Sequence, residues 1–283
     1  MPTLLSVEDH LRGLAQAVEL LRSAGSAAGL DARVETVPDW TVGDVIAHLG
    51  GVHRWATGII EGAPRVDTAA AAATGRAGGD LVRWLGAGAQ ALESALRAAP
   101  DDLDVWFFLN DAPAPRAAWA RRQCHESTIH AVDAVSGWTH TVPAAAEIGL
   151  DPGLAADGVD ELVCGMATQE AATLRVDRPF QVEVRASDTG DVWRLGLSSG
   201  PVTAVRGVQP LDADEPAPDE PEADMSLEAV VTGTAAQLYL GLWNRGTELH
   251  CEGRDVLALW RDQMRVTWVD DDLPDDPGGR LVP

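Results

Sequence analysis

The chain has 283 residues and a formal net charge of −23, and its 21 basic side chains are all arginine. That balance argues against an unassisted grip on nucleic acid or an anionic membrane and points to small-molecule partners. The length predicts two domains of roughly 100–150 residues, each able to bury its own core.

Four helices are predicted in the first half. Leu11, Leu14, Val18 and Leu21 repeat every three to four residues, and "GSAAGLDARVETVPDW" breaks the pattern, so the first helix is expected to end near Ser23. In "WTVGDVIAHLGGVHRWATGIIEG", Thr41 reads as an N-cap with Asp44 completing a capping box, and Gly62 follows the last turn. A glycine- and alanine-rich loop is expected over 62–79. A third helix starts near Asp80, and a fourth runs from about Pro115 to Gly137. Together they suit an antiparallel bundle.

The second half reads as α+β. A helix begins at Asp151–Pro152. "FQVEVRASD", "DVWRLGLSS" and "PVTAVRGV" look like antiparallel strands, and "LDADEPAPDEPEAD" is an acidic, proline-rich loop. "MSLEAVVTG" reads as a strand, "TAAQLYLGLWNRG" as a helix capped by Thr234, "ELHCEG" as a short strand and "RDVLALWRDQM" as a last helix. The expected division is 1–145, the bundle, and 146–283, the α+β domain.

Cys124, Cys164 and Cys251 lie too far apart for a zinc knuckle or a disulfide framework and read as buried apolar side chains. With no basic leader followed by an apolar run, and no stretch of ~18 apolar residues, a soluble cytoplasmic protein is expected.

The chemistry concentrates in "RRQCHESTIHAVDAVSG", residues 121–137. Residues four and seven apart share a helix face, so Glu126, His130 and Asp133 form one stripe. His48 lies between Val45 and Val52 on the apolar face of the second helix and points inward. Two imidazoles and a carboxylate from two helices suit a divalent metal with one open position, and Asp133 is placed to orient an imidazole or to bind substrate. The same residues also fit a hydrogen-bonded core histidine and an ordinary solvated Glu/His pair, and spacing leaves both readings open. His53, about 140° from His48, is expected at the bundle edge. His125 faces elsewhere, and His10, His140 and His250 show no partner in sequence.

"PDWTVGDVIAHLGGVHRWA" with "CHESTIHAVDA" resembles the mycothiol-dependent maleylpyruvate isomerase family, as does "VVTGTAAQLYLGLWNRGTELHCEGRDVLALW". The resemblance implies a DinB-like four-helix bundle followed by a small sterol-carrier-like α+β domain. It implies one zinc, or another divalent metal, on His48, Glu126 and His130, with mycothiol as thiol cosubstrate. It also implies an arginine of the second domain near the site, for which Arg245 in "LWNRG" is the best match.

A thiol coordinated to zinc is deprotonated at neutral pH. It then either adds to an activated double bond, allowing rotation and elimination, or stays attached to an electrophile. Isomerase and S-transferase readings follow, with Arg245 holding a substrate carboxylate. Zinc-bound water acting without a thiol is one alternative, and a non-catalytic small-molecule-binding protein is another. The expected oligomeric state is monomer or homodimer.

Overall fold

The computed structural model describes residues 5–64, 66–208 and 225–264. The acidic loop predicted over 211–224 lies outside the described residues. Nine α-helices and five strands follow in chain order among the described residues. They are α1 (Val7–Ala28), α2 (Val42–Ile60), α3 (Thr68–Ala77), α4 (Leu81–Ala98), α5 (Pro115–Thr139), α6 (Ala145–Ile148) and α7 (Pro152–Asp160). The rest are β1 (Phe180–Ala186), β2 (Asp191–Leu197), β3 (Thr203–Val208), β4 (Leu227–Gly233), α8 (Ala235–Leu242), β5 (His250–Gly253) and α9 (Val256–Gln263). The chain divides into two compact units. Pro2–Phe108 with Ala112–Pro143 is helical, and Leu109–Asp111 with Ala144–Pro283 carries the sheet.

In the helical unit α1 lies chiefly along α5, and α2 packs on α3, α4 and α5. The core joins Leu11, Leu14 and Leu21 to Val45, Ile46, Leu49, Leu85, Leu92 and Trp119, all at least 98% buried. Helix α1 continues to Ala28, past the expected stop at Ser23. Ala24, Ala27 and Ala28 sustain the helix by propensity, and Gly25 sits where α1 meets Ile46 of α2.

The stretch expected as a loop over 62–79 contains α3. Its alanine run has the highest intrinsic helix propensity, and the Asp67 carboxylate accepts from the Ala70 N–H as an N-cap. The run has few large apolar groups and so gave no periodic signal. The α4 ring of Trp84 lies so close to α2 that a Cβ on Gly50 would stand 2.1 Å from its Cζ3. Arg54 covers that ring at 3.7 Å from its centroid.

The sheet order is β3-β2-β1-β4-β5. β1, β2 and β3 form the expected antiparallel meander, with Val184 opposite Trp193 and Val182 opposite Leu195. β4 pairs parallel to β1 and β5 antiparallel to β4. Phe180, Val182, Val184, Leu195, Leu197 and Val231 bury the apolar face, as period-two alternation dictates. Helix α7 runs into a π-helical turn, Glu161–Met166. Its Asp160 accepts a hydrogen bond from Trp193 Nε1 at 3.2 Å. A helical first region followed by a small mixed sheet is the expected α+β arrangement. Among the described residues, no helix is long and apolar enough to cross a membrane.

The cysteines divide. Cys124 is fully buried, as expected, whereas Cys164 and Cys251 are only partly buried. Cys251 sits on the short edge strand β5, with Sγ 3.3 Å from the Arg254 carbonyl.

Candidate metal centre

Helix α2 begins with the capping box read from the sequence: Thr41 Oγ1 accepts from the Asp44 N–H, and Asp44 Oδ2 accepts from the Thr41 N–H at 2.8 Å. Two turns further on, His48 stands on the face toward α5 with its side chain 21% exposed. Pro115 opens α5 at the first helical position, where its missing N–H costs nothing. The stripe of Glu126, His130 and Asp133 then falls eleven to eighteen residues along that helix.

The structure brings His48, Glu126 and His130 together, with one donor atom from each within 4.8 Å of the others. Glu126 Oε1 lies 3.3 Å from His48 Nε2 and 3.3 Å from His130 Nε2. Ligand bonds of 2.0–2.1 Å in a tetrahedron give edges of about 3.3 Å. Both carboxylate–imidazole edges therefore match a divalent ion held by one carboxylate oxygen and two imidazoles. The third edge, between the two imidazoles, lies within 4.8 Å, and the three side chains could hold such an ion.

Behind the donors is a support chain. His130 Nδ1 lies 3.0 Å from Asp133 Oδ2, and Thr36 Oγ1 donates to Asp133 Oδ1 at 2.6 Å. An Nδ1–H directed at Asp133 leaves Nε2 facing Glu126 and His48, which is the tautomer a ligand needs. Asp133 is completely buried, so the Thr36 and His130 contacts offset the cost of its charge. The α1–α2 connection that carries Thr36 is anchored to the same helix. Glu35 N–H donates to Ser136 Oγ at 3.1 Å, and Ser136 Oγ donates to the Asp133 carbonyl at 2.8 Å. Gly137 permits this approach, since a Cβ there would meet Val42 Cγ2 at 2.5 Å.

Trp40, at the end of that connection, covers the imidazoles. Its ring stacks on His130 at 5.9 Å and 10° and stands edge-on to His48 at 5.2 Å. Arg122, one turn before Glu126, places Nη2 3.0 Å from Glu126 Oε2. The carboxylate therefore has one oxygen toward the histidines and one toward a guanidinium.

Charge in the cluster is shared accordingly. Burial opposes ionisation of Glu126, but hydrogen bonds from His130 and His48, with the nearby Arg122 charge, hold its carboxyl well below the usual range. Burial also disfavours the imidazolium of His130. Hydrogen bonds to Asp133 and Glu126 outweigh it and push that pKa up to about 9. Two carboxylates flanking one imidazole, Asp133 at Nδ1 and Glu126 at Nε2, favour positive charge at this position.

Other histidines behave differently. His53, expected at the bundle edge, is completely buried, with Nε2 2.9 Å from Ser127 Oγ. Burial, opposed by the Glu126 charge, lowers its pKa to about 3, so it is a neutral core residue. Five residues of rotation do turn it away from His48, but toward the neighbouring face of α5 and not toward solvent. His10 and His125 are also buried in the helical unit, with rings edge-to-face at 6.1 Å. Arg245 belongs to the sheet-containing unit, where it is buried and its Nη1 donates to the Trp243 carbonyl at 3.0 Å.

Three residues at the centre escape a reading of spacing alone. Arg122 lies on the same stripe, four residues before Glu126, and that offset was its available signal. Trp40 precedes the N-cap by one residue, which marks its position but not its stacking. Thr36 has no local signal, because its role depends on a partner 97 residues away.

Residues 11–135 match the family model described as the mycothiol maleylpyruvate isomerase N-terminal domain, and residues 153–262 the corresponding C-terminal domain model. The chain belongs to the mycothiol-dependent maleylpyruvate isomerase family. The first match spans the four site residues read from the sequence in this half of the chain, His48, Glu126, His130 and Asp133. Two solved structures share the fold: the mycothiol-dependent maleylpyruvate isomerase, at TM-score 0.57, and a mutant of it with one histidine replaced by alanine, at 0.58. Each is 15% identical, over 90% of this chain and 97% of the solved one. No curated protein matches the chain. At this identity the family's architecture is shared, while the donor geometry above is read from this chain's own side chains.

Proposed function

We propose that this protein is a zinc-dependent enzyme that uses a low-molecular-weight thiol, mycothiol, for isomerisation of an electrophilic small molecule or for S-transfer to it. The observation carrying the reading is the donor set: His48, Glu126 and His130, from two helices, with both carboxylate edges at 3.3 Å. Three protein ligands leave a fourth position for an exchangeable group, which is the arrangement of catalytic rather than structural sites. Zinc bound there supplies the charge that keeps a thiol deprotonated at neutral pH, so no protein cysteine is needed. Cys124, fully buried on α5, is accordingly left as packing.

The chain's own residues divide the remaining work. Asp133 holds the Nδ1 proton of His130 and fixes the ring, and Thr36 holds Asp133. Trp40 limits the rotation of both imidazoles by contact with each ring. Relatives of the same fold include an isomerase that is mycothiol-dependent, which favours a thiol over other fourth ligands.

Metal content and thiol binding test the reading together. Chelator-free protein is expected to carry one zinc per chain, and His130→Ala to carry far less. Calorimetry of zinc-loaded protein with mycothiol is expected to show binding that is absent in the variant. Product analysis with maleylpyruvate and a panel of electrophiles then separates isomerisation, which returns free thiol, from transfer, which consumes it. A wild-type chain without bound metal overturns the proposal.

A further inference from the structure

Trp40 stands where the centre meets solvent. Asp133 is completely buried and the side chains of Arg122 and His130 are 4% and 5% exposed, so none of these borders an opening. His48 and Glu126 keep 21% and 14% of their side-chain surface, and Trp40, in contact with both donor rings, is half-buried. A ligand reaching the fourth position therefore enters beside the indole.

The indole is also held still. The Trp40 N–H donates to the Val37 carbonyl at 2.9 Å, and the Trp40 carbonyl accepts from the Val34 N–H at 3.0 Å. Arg33 pairs with Thr41 just beyond, and Thr41 caps α2. The ring lies 5.2 Å from that of His48 and 5.9 Å from that of His130, and those two are 4.9 Å apart, so the three close a triangle. Keeping two imidazoles in place needs bulk, which any large apolar side chain supplies. An aromatic face adds a polarizable surface that holds no water firmly, and sulfur settles about 5 Å from such rings. Oxygen ligands gain nothing there and lose hydration.

We propose that Trp40 is a specificity-determining residue of the metal centre. Its indole is the wall against which the sulfur and first methylene of a thiolate pack, so that sulfur is favoured over oxygen at the open position. The inference deepens the thiol-dependent reading proposed above and rests on it.

Cobalt(II), a coloured substitute for zinc, makes the choice visible. Wild type, Trp40→Phe and Trp40→Ala are loaded with cobalt and titrated at one pH with 2-mercaptoethanol and with formate, each followed through the visible absorption of the metal. The quantity read is the ratio of thiol to formate affinity. Trp40→Ala is expected to lower it about three- to tenfold, and Trp40→Phe, which keeps an aromatic face, to stay within about twofold of wild type.

A merely structural Trp40 weakens both ligands alike, and a ratio unchanged in Trp40→Ala overturns the inference. A fall in Trp40→Phe as large as in Trp40→Ala overturns it too. Should Trp40→Ala not fold, Trp40→Leu, which keeps bulk without an aromatic face, is judged by the same ratio. Wild type that takes up no cobalt defeats the metal reading, and cobalt protein that binds formate but no thiol defeats the thiol reading. Thiol bound with a ratio indifferent to Trp40 defeats this inference alone.

Discussion

Metal binding at this centre is expected to be coupled to a proton on His130. The hydrogen bonds to Asp133 and Glu126 raise the pKa of His130 to about 9, against an ordinary value of 6.5, so the metal-free imidazole is protonated at neutral pH. Its Nε2 must lose that proton to ligate. Between pH 7 and 9 the apparent zinc affinity is therefore expected to rise about tenfold per pH unit, making binding at pH 7 about 100-fold weaker than the plateau above 9.

Stability of the metal-free protein runs the other way. A folded pKa above the unfolded value contributes stability that is complete below about 6.5 and is lost as pH rises through about 9, at most roughly 3 kcal/mol. Competition titrations against a chromophoric chelator at pH 7, 8 and 9, corrected for the chelator's own protonation, measure the first slope. Thermal denaturation with and without zinc measures the second, and the zinc-induced rise in Tm should grow with pH. An affinity independent of pH across this window refutes the proton linkage.

Asp133→Asn removes the charge that supports the His130 imidazole and is expected to weaken metal binding by about 10–100-fold with the fold retained, as read by chelator competition and circular dichroism. In the metal-free protein His53 contributes the opposite pH dependence to His130. Its folded pKa of about 3 lies below 6.5, so stability is complete above 6.5 and falls by about 1.4 kcal/mol per pH unit toward 3. His53→Gln, measured by denaturant unfolding between pH 4 and 7, should flatten that slope. Gly50→Ala forces a Cβ to within 2.1 Å of Trp84 and is expected to cost about 1–3 kcal/mol by the same measurement, while a neutral result means α4 can shift to accommodate it.

What could be read from residues alone was what is encoded locally. The capping box at Thr41 and Asp44, the proline start of α5 and the four-residue spacing of Glu126 and His130 all lie within one or two helical turns. The alternating strands of the meander were equally legible. The parallel pairing of β4 with β1 was not, because it joins segments far apart in sequence and has no local signature. Helix α3 was missed because alanine drives helix formation by propensity and leaves no apolar stripe.

At the centre the same division holds. The stripe on α5 was visible, whereas Thr36, Trp40 and the burial of His53 arise from contacts between segments far apart in sequence. Arg122 lay in plain view on the stripe. Its meaning came only from the second oxygen of Glu126.

The most direct test of a zinc site that works through an exogenous thiol is X-ray absorption at the zinc edge, with and without mycothiol. Before addition the zinc is expected to have only nitrogen and oxygen neighbours at about 2.0–2.1 Å. Adding mycothiol is expected to introduce one sulfur at about 2.3 Å, in wild type and in Cys124→Ala alike. Zinc bound at His48, Glu126 and His130 that acquires no sulfur would contradict the thiol-dependent account.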